Sequence, residues 1–351
     1  MSRITKIDKN FEIKSSSDKT DLKFYSALKE PFQINGVYYE DGKYRRLPEE
    51  VAKSVSWGVF CLHSNTAGGR LRFKTNSEYI VLYAKMGELC KMPHFAYTGS
   101  IGFDLYERIN GREQYVDTFI PKGDITDTID TFINVGYSDK EREFVINFPL
   151  YSEVKALYIG LKDSATVSAP TPYKYGKPIV YYGSSITQGA CASRAGTSYQ
   201  GFISRRFDAD FINLGFSGNA KGEDAMAEYI KNLDMSVFVY DYDHNAPDVE
   251  HLRATHEKMF KTVRKANPDL PIVIMSRPVF SLNDEENQRL EIIKETYNNA
   301  VNSGDNNVYL LTGKELMALA ENEGTVDNCH PTDFGFASIA AALGDLLEKI
   351  L

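Results

Sequence analysis

KPIVYYGSSITQG, residues 177–189, carries an apolar run into a glycine and then into a cluster of small hydroxyl residues. Four later runs have the same texture: DFINLGF (210–216), SVFVYDY (236–242), PIVIMSR (271–277) and NVYLLTG (307–313). Their apolar residues are nearly continuous rather than alternating, as expected of strands buried on both faces. Helical patterns separate them. From about Glu250 to Ala266, Leu252, His256, Met259, Phe260 and Val263 fall on one face at the 3.6-residue period. Asn283 with Glu286 three residues on forms a capping box opening a helix to about Val301. A last helix lines up Phe336, Ile339, Ala340, Leu343 and Leu347. Strands alternating with helices predict an α/β domain, a parallel sheet covered on both sides, over residues 171–351.

Upstream the texture changes. GVFCLHS, GRLRFKT, EYIVLYAKM, IGFDLYERI, REFVINFP and VKALYIGLK read as short β runs between about Gly36 and Leu161. Turn signals separate them, among them 65–69 (NTAGG), Asn110-Gly111 and Lys122-Gly123-Asp124. Alternation at Leu71 and Phe73, and at Tyr79, Val81 and Tyr83, fits antiparallel sheets with one face in a core. Residues 1–170 are therefore expected to form an all-β sandwich of jelly-roll type. SATVSAPTPYKYGKP (164–178) reads as the linker to residues 171–351.

Of 351 residues, 42% are hydrophobic and 25% charged, ordinary for a globular chain with a real core; the net charge of −8 argues against affinity for nucleic-acid phosphates or anionic lipid. No stretch approaches 18 uninterrupted apolar residues, so no membrane partner is expected. Cys61, Cys90, Cys191 and Cys329 show no metal-ligand spacing and suit reduced thiols. With no signal peptide at the start, a cytoplasmic location is expected, a trimmed leader being the alternative. No dinucleotide or phosphate-loop motif survives inspection, since Thr312-Gly313-Lys314 lacks its earlier glycine. His244, His251 and Asp243 match no metal-ligand spacing, and His256 on the apolar helix face is expected to be a core histidine. Neither cofactor nor metal is predicted.

Ligands of open α/β sheets bind beyond the carboxyl ends of the strands, so the loops there decide the chemistry. They read Gly183-Ser184-Ser185-Ile186, then Gly215-Phe216-Ser217-Gly218-Asn219, then Asp243-His244-Asn245, and near the C-terminus Asp327-Asn328-Cys329-His330. Ser185 needs a base to act as a nucleophile, and His330 is the histidine with a loop carboxylate, Asp327, three residues earlier. Asp327 can bond one imidazole nitrogen while the other faces the serine. The backbone N–H groups of Ser185 and Gly218 and the side-chain amide of Asn245 are candidate oxyanion donors, with Gly215 the competitor for close backbone approach.

These four blocks resemble the SGNH (GDSL-type) hydrolases. The resemblance implies a flavodoxin-like three-layer α/β/α domain and the same roles for Ser185, Gly218, Asn245, Asp327 and His330. It also implies a serine esterase acting on small acyl esters, with carbohydrate acetyl groups the leading substrate class. Ser184 stands where the namesake motif has Asp, and Tyr242-Asp243-His244-Asn245 replaces the more usual Gly-x-Asn-Asp. MPHFAYTGSIGFDLY (92–106) is similar to the signature of a β-rich domain named for Gly-x-Asp-Leu-Tyr that precedes some of these esterases. Two rival readings stay open: a carbohydrate-binding protein on a degenerate hydrolase scaffold, and an acyltransferase using the same triad.

Overall fold

The computed structural model describes residue 17 and residues 19–351. Tertiary contacts divide the described residues into two units, one of those up to 46 with 64–173 and 193–196, the other of 47–63, 174–192 and 197–351.

The first unit is a β-sandwich. Its strands, in chain order, are β1 (Leu22–Ser26), β2 (Gln33–Asn35), β3 (Tyr38–Glu40) and β4 (Lys43–Arg45). The chain then leaves for the other unit's helices α1 (Glu49–Val55) and α2 (Trp57–Leu62). It returns with β5 (Arg70–Thr75), β6 (Tyr79–Met86) and the short helix α3 (Tyr97–Ser100). After these come β7 (Phe103–Ile109), β8 (Arg112–Phe119), β9 (Thr128–Asn134), β10 (Arg142–Asn147), β11 (Val154–Lys162) and β12 (Val167–Ser168). Among the described residues, one antiparallel sheet runs β1-β11-β6-β9 and a second β12-β5-β10-β7-β8, with β2 also on β5. Leu71, Phe73, Phe144 and Ile146 of the second sheet share one core with Ile80, Leu82, Leu157 and Ile159 of the first. Asn110 and Gly111 have φ of 52° and 79°, the left-handed pair that closes a tight hairpin between β7 and β8.

Three expectations are corrected here. On β6 the core face is Ile80, Leu82 and Ala84, while Tyr79, Val81 and Tyr83 form a separate outer cluster with Phe24. The strand is apolar on both faces, so alternation could not assign its inner side. GVFCLHS is not a strand: Ser56 caps α2 by accepting from Val59 N, and Val59 joins the core of the other unit together with Leu47 and Ala52. The linker does not begin at 164. Val167 and Ser168 pair with β5, and the guanidinium of buried Arg72 lies 3.8 Å from the Tyr173 ring centroid, so order of the first unit runs to residue 173.

The signature residues of β7 are buried on both faces of the strand, Phe103 and Leu105 in the sandwich core and Asp104 and Tyr106 on the opposite face. Asp104 is fully buried, accepting from Asn147 Nδ2 and from the backbone N–H of Gly196, each at 2.8 Å, with Arg194 3.5 Å away. Arg194 also donates to the Tyr106 hydroxyl. The Asp and Tyr of Gly-x-Asp-Leu-Tyr thus hold the segment 193–196 in this unit. Asp104→Ala leaves Arg194 and the Gly196 N–H without their buried acceptor. It is expected to destabilise the chain by about 3 kcal/mol, read as a shift in the urea midpoint.

The second unit has, among the described residues, the parallel sheet β13 (Ile179–Gly183), β14 (Phe211–Gly215), β15 (Val237–Asp241), β16 (Ile272–Met275) and β17 (Val308–Leu311). The order β14-β13-β15-β16-β17 is the flavodoxin-like 2-1-3-4-5. Its connections are α4 (Ser185–Gln188), α5 (Tyr199–Phe207), α6 (Asp224–Ile230), α7 (Val249–Ala266), α8 (Asp284–Asn302) and α9 (Gly313–Leu316), and α10 (Asp333–Leu347) closes the chain. Val180 and Tyr182 face a core shared with α1, α2, α6, α7 and α8, whereas Tyr181 packs edge-on against Tyr199 of α5, which stacks on Phe336 of α10. Helices therefore cover both sheet faces, which is why these strands read as unbroken apolar runs. The α7 and α10 stripes named above are buried, and the Asn283–Glu286 capping box is present. His256 is buried, 2.8 Å from Thr296 Oγ1, and burial depresses its pKa to about 4, so it is a neutral core residue.

Candidate active site

β13 lies between β14 and β15 in register, Gly183 opposite both Gly215 and Asp241. The three strands therefore end level, and their loops converge where the strand order reverses. Ser184 caps α4, its hydroxyl accepting from Ile186 N at 3.1 Å. Serine and aspartate are comparable N-caps, so the departure from the namesake motif keeps the turn and removes a charge beside Ser185. Ser185 occupies the first position of α4, at the helix end whose N–H groups point outward, and is 6% exposed. Gly189, at φ 112°, ends the helix by donating to Ser185 O and Ile186 O.

Ser185 Oγ lies 3.0 Å from His330 Nε2, and His330 Nδ1 lies 2.8 Å from Asp327 Oδ2. The other carboxylate oxygen accepts from His330 N at 2.7 Å and Cys329 N at 3.1 Å. Burial opposes the charge on Asp327, but these N–H groups and the imidazole outweigh it and hold the carboxyl below the usual carboxylate range. The supporting loop closes on itself: Val326 N donates to His330 O, Thr325 bridges Pro331, and Asn328 takes φ 61° at the tip. Thr332 caps α10 directly afterwards, and a Cβ at Gly335 would meet the Gly324 carbonyl, which explains a glycine in HPTDFG.

The second loop is tied to the first. Gln188 Oε1 accepts from Ser217 N at 3.0 Å, and Phe216 N donates to Gly183 O at 2.8 Å. Gly218 has φ 66° and open space where a Cβ would stand, whereas a Cβ on Gly215 would strike the Gln188 backbone. Gly215 is thus a packing glycine, and Gly218 is the one facing free space. The Asn245 carboxamide donates to Phe216 O at 3.2 Å, bringing it to the loop that holds Gly218 and leaving its second N–H for another acceptor. The sequence-predicted residues Ser185, Asp327, His330, Gly218 and Asn245 all lie in one unit, Ser185 at the start of α4 and the others on the neighbouring connections.

Beneath the loops lie two buried carboxylates whose supporting roles the sequence does not announce. Asp241, the last residue of β15, bonds the Thr187 hydroxyl under α4, and Gly183 lacks a Cβ where the two meet. Burial, seconded by the charge of Asp243, pushes its pKa up to about 8 against hydrogen bonds from Thr187 and the Ser184 N–H. The folded chain then holds a proton that the unfolded chain has released near pH 4. Stability contributed by that proton is present at low pH and lost as pH rises from about 4 to about 8. Asp241→Asn is expected to gain roughly 4 kcal/mol on the wild type between about pH 5 and about pH 8. Urea midpoints at the two pH values check this, and parallel pH profiles for both proteins would contradict it. Asp243 is the opposite case. Burial opposes its charge, but His244 Nδ1 at 3.1 Å and the backbone N–H groups of Arg277 and His244 hold its pKa below the usual range.

Residues 176–348 match the model of the GDSL-like lipase/acylhydrolase family, and residues 22–167 match that of the GxDLY N-terminus of SGNH-type esterases. The chain carries a GDSL-like lipase/acylhydrolase domain behind the GxDLY N-terminus of SGNH-type esterases. A GDSL-like protein of Bacteroides ovatus ATCC 8483 is 28% identical at a TM-score of 0.83, covering 94% of this chain and 98% of that one. Salicylyl-acyltransferase SsfX3, from a tetracycline biosynthetic pathway, is 17% identical at 0.77, covering 95% and 99%. A family two carbohydrate esterase from Clostridium thermocellum, solved with cellohexaose, is 16% identical at 0.63, covering 91% and 98%. At the identities of the last two, the likeness concerns the fold. No curated protein matches the chain. His244, beside Asn245, has its Nδ1 3.1 Å from Oδ1 of the buried Asp243, a hydrogen bond within the loop.

Proposed function

We propose that the chain is a serine esterase that removes small acyl groups, acetyl first, from carbohydrate hydroxyls. The observation that carries this is the unbroken relay Ser185 Oγ, His330 Nε2, His330 Nδ1 and Asp327 Oδ2, with steps of 3.0 and 2.8 Å. With its proton on Nδ1 and donated to Asp327, the imidazole presents the Nε2 lone pair to the serine O–H. Ser185 attacks the ester carbonyl while His330 takes its proton. The backbone N–H groups of Ser185 and Gly218 and the Asn245 amide receive the oxyanion, and each such donor lowers the barrier by about 3 kcal/mol. His330 returns the proton to the leaving alcohol as the acyl-enzyme forms. Water, deprotonated by the same histidine, then releases the acid. The carbohydrate class is favoured by the carbohydrate esterases among the structural neighbours, one of them an acetyl xylan esterase from Butyrivibrio proteoclasticus.

The test is release of acetate from p-nitrophenyl acetate and from acetylated xylo- and cello-oligosaccharides, against butyryl and octanoyl esters. Acetyl esters are expected to be turned over fastest, and the oligosaccharides at least as well as the nitrophenyl ester. No turnover of any ester above the background of Ser185→Ala would overturn the reading in favour of a carbohydrate-binding protein. A second reading, acyl transfer, is favoured by the likeness to the salicylyl-acyltransferase. Water and an acceptor hydroxyl compete for one acyl-enzyme, so adding candidate acceptor alcohols and measuring the ester formed against the acid released separates the two.

A further inference from the structure

The loop carrying the base is poorly packed. Val326, Asp327 and Asn328 are exposed, and Cys329 and His330 are only half-buried. Hydrogen bonds within the loop keep Asp327 and His330 together, but they do not set where the pair stands over Ser185. Beyond Ser185 itself, a side chain from the end of β16 reaches it. Arg277, two residues past the end of β16, donates from its guanidinium to the carbonyl of Asn328 at 3.2 Å and lies against the Cys329 thiol. The same guanidinium is anchored on Glu286, whose other oxygen accepts from Asn283 N at 2.8 Å in the α8 capping box. The main chain of Arg277 serves the neighbouring loop, its N–H donating to buried Asp243 Oδ2 at 3.0 Å. Arg289 of α8 fastens that loop from the other side, donating to the carbonyls of Asp243 and Ala246 around Asn245.

We propose that Arg277 is a positioning residue for ester hydrolysis, transmitting the rigid start of α8 to the Asp327–His330 loop and holding it in register with the Asn245 loop. The inference rests on the esterase reading above. Its physical basis is that loops with few buried contacts open locally at little cost, and that a misplacement of about 1 Å in a catalytic group costs roughly a hundredfold in rate. A guanidinium suits the task because its planar fork serves Glu286 and the Asn328 carbonyl at once, which an ammonium on a flexible stem does less well.

The test compares Arg277→Met, which keeps the aliphatic stem, and Arg277→Lys with the wild type on p-nitrophenyl acetate. In Arg277→Met, kcat is expected to fall about 30- to 100-fold with KM changed less than about threefold, and Arg277→Lys to recover to within about tenfold of the wild type. The low-field proton resonance of the His330–Asp327 hydrogen bond is expected to broaden or vanish in Arg277→Met and to return in Arg277→Lys. A folded Arg277→Met with kcat within about threefold of the wild type and an unchanged resonance would overturn the proposal. So would a loss confined to KM, which would make Arg277 a substrate contact. If Arg277→Met does not fold, Arg277→Lys and Glu286→Gln carry the test. A fivefold or larger loss in kcat is expected in each, and wild-type kcat in both rejects the proposal. The resonance is read without turnover, so an inactive wild type with the resonance sensitive to Arg277 would defeat the esterase reading while leaving the positioning role standing.

Discussion

Ser185→Ala is expected to lower kcat for p-nitrophenyl acetate by about a thousandfold to a millionfold, while the variant keeps the wild-type circular dichroism and unfolding midpoint. The side chain is small and sits at the first turn of α4, and its neighbours fix that turn: Ser184 caps the helix, Thr187 bonds Asp241 at the end of β15, and Gln188 accepts from Ser217 of the next loop. Removing the hydroxyl deletes the nucleophile and little else. The remaining donors can still polarise the carbonyl for direct attack by water, which sets the floor of residual rate. Activity within tenfold of the wild type would mean that the nucleophile lies elsewhere.

Asp327→Asn is the second large effect, an expected fall of about a thousandfold to ten-thousandfold in kcat at neutral pH. An asparagine keeps size and one acceptor, so the N–H groups of Cys329 and His330 can still be met. What changes is the partner of His330 Nδ1. A carboxamide turned to present its NH₂ favours the wrong tautomer, with the proton on Nε2 facing the serine. The carboxylate of the wild type is held below the usual range, so it stays ionised through mildly acidic pH. Its contribution is present above the ordinary carboxylate pKa and lost as pH falls through the lowered one. The defect is therefore expected to persist at every pH where the wild type works, and to ease only at high pH, where hydroxide replaces the base. A defect confined to acid would contradict this.

The proposed catalytic residues are legible because they sit in polar loops, Ser185, Gly218 and Asn245 shortly after strand ends and Asp327 with His330 just before the last helix. Ser185, Gly218, Asn245 and Asp327 with His330 emerge from reading the loops at the carboxyl edge of a parallel sheet. Arg277 lies just past a strand too, but it carries a positive charge and no nucleophilic or basic role, so nothing in its local sequence connects it with Asn328, some fifty positions on. Asp241 is hidden for a different reason. It ends an apolar strand, where an acid reads as the first loop residue, and its burial shows only when the Thr187 hydroxyl is seen above it. In the β-sandwich, β6 is apolar on both sides, so the period-2 signal that assigns an inner face is missing. Helix α2 reads as a strand because Val59 and Phe60 are β-favouring residues in a short window.

What the amino-acid order determined by itself was local and periodic. It specified the five buried strands and the stripes of α7 and α10, the capping box at Asn283, the turn at Asn110-Gly111, and the candidate nucleophile, base and acid. Strand burial and helix amphipathicity are written in spacings of two to four residues, and catalysis demands particular functional groups, so both can be read along the chain. Tertiary structure alone decided that residues 47–63 pack with the α/β unit, that 193–196 pack on Asp104 and Tyr106, that Gly218 rather than Gly215 faces open space, and that Arg277 tethers the triad loop. Each of these depends on contacts between residues far apart in the chain, whose energies come from burial and from hydrogen bonds that exist only once the sheets are assembled.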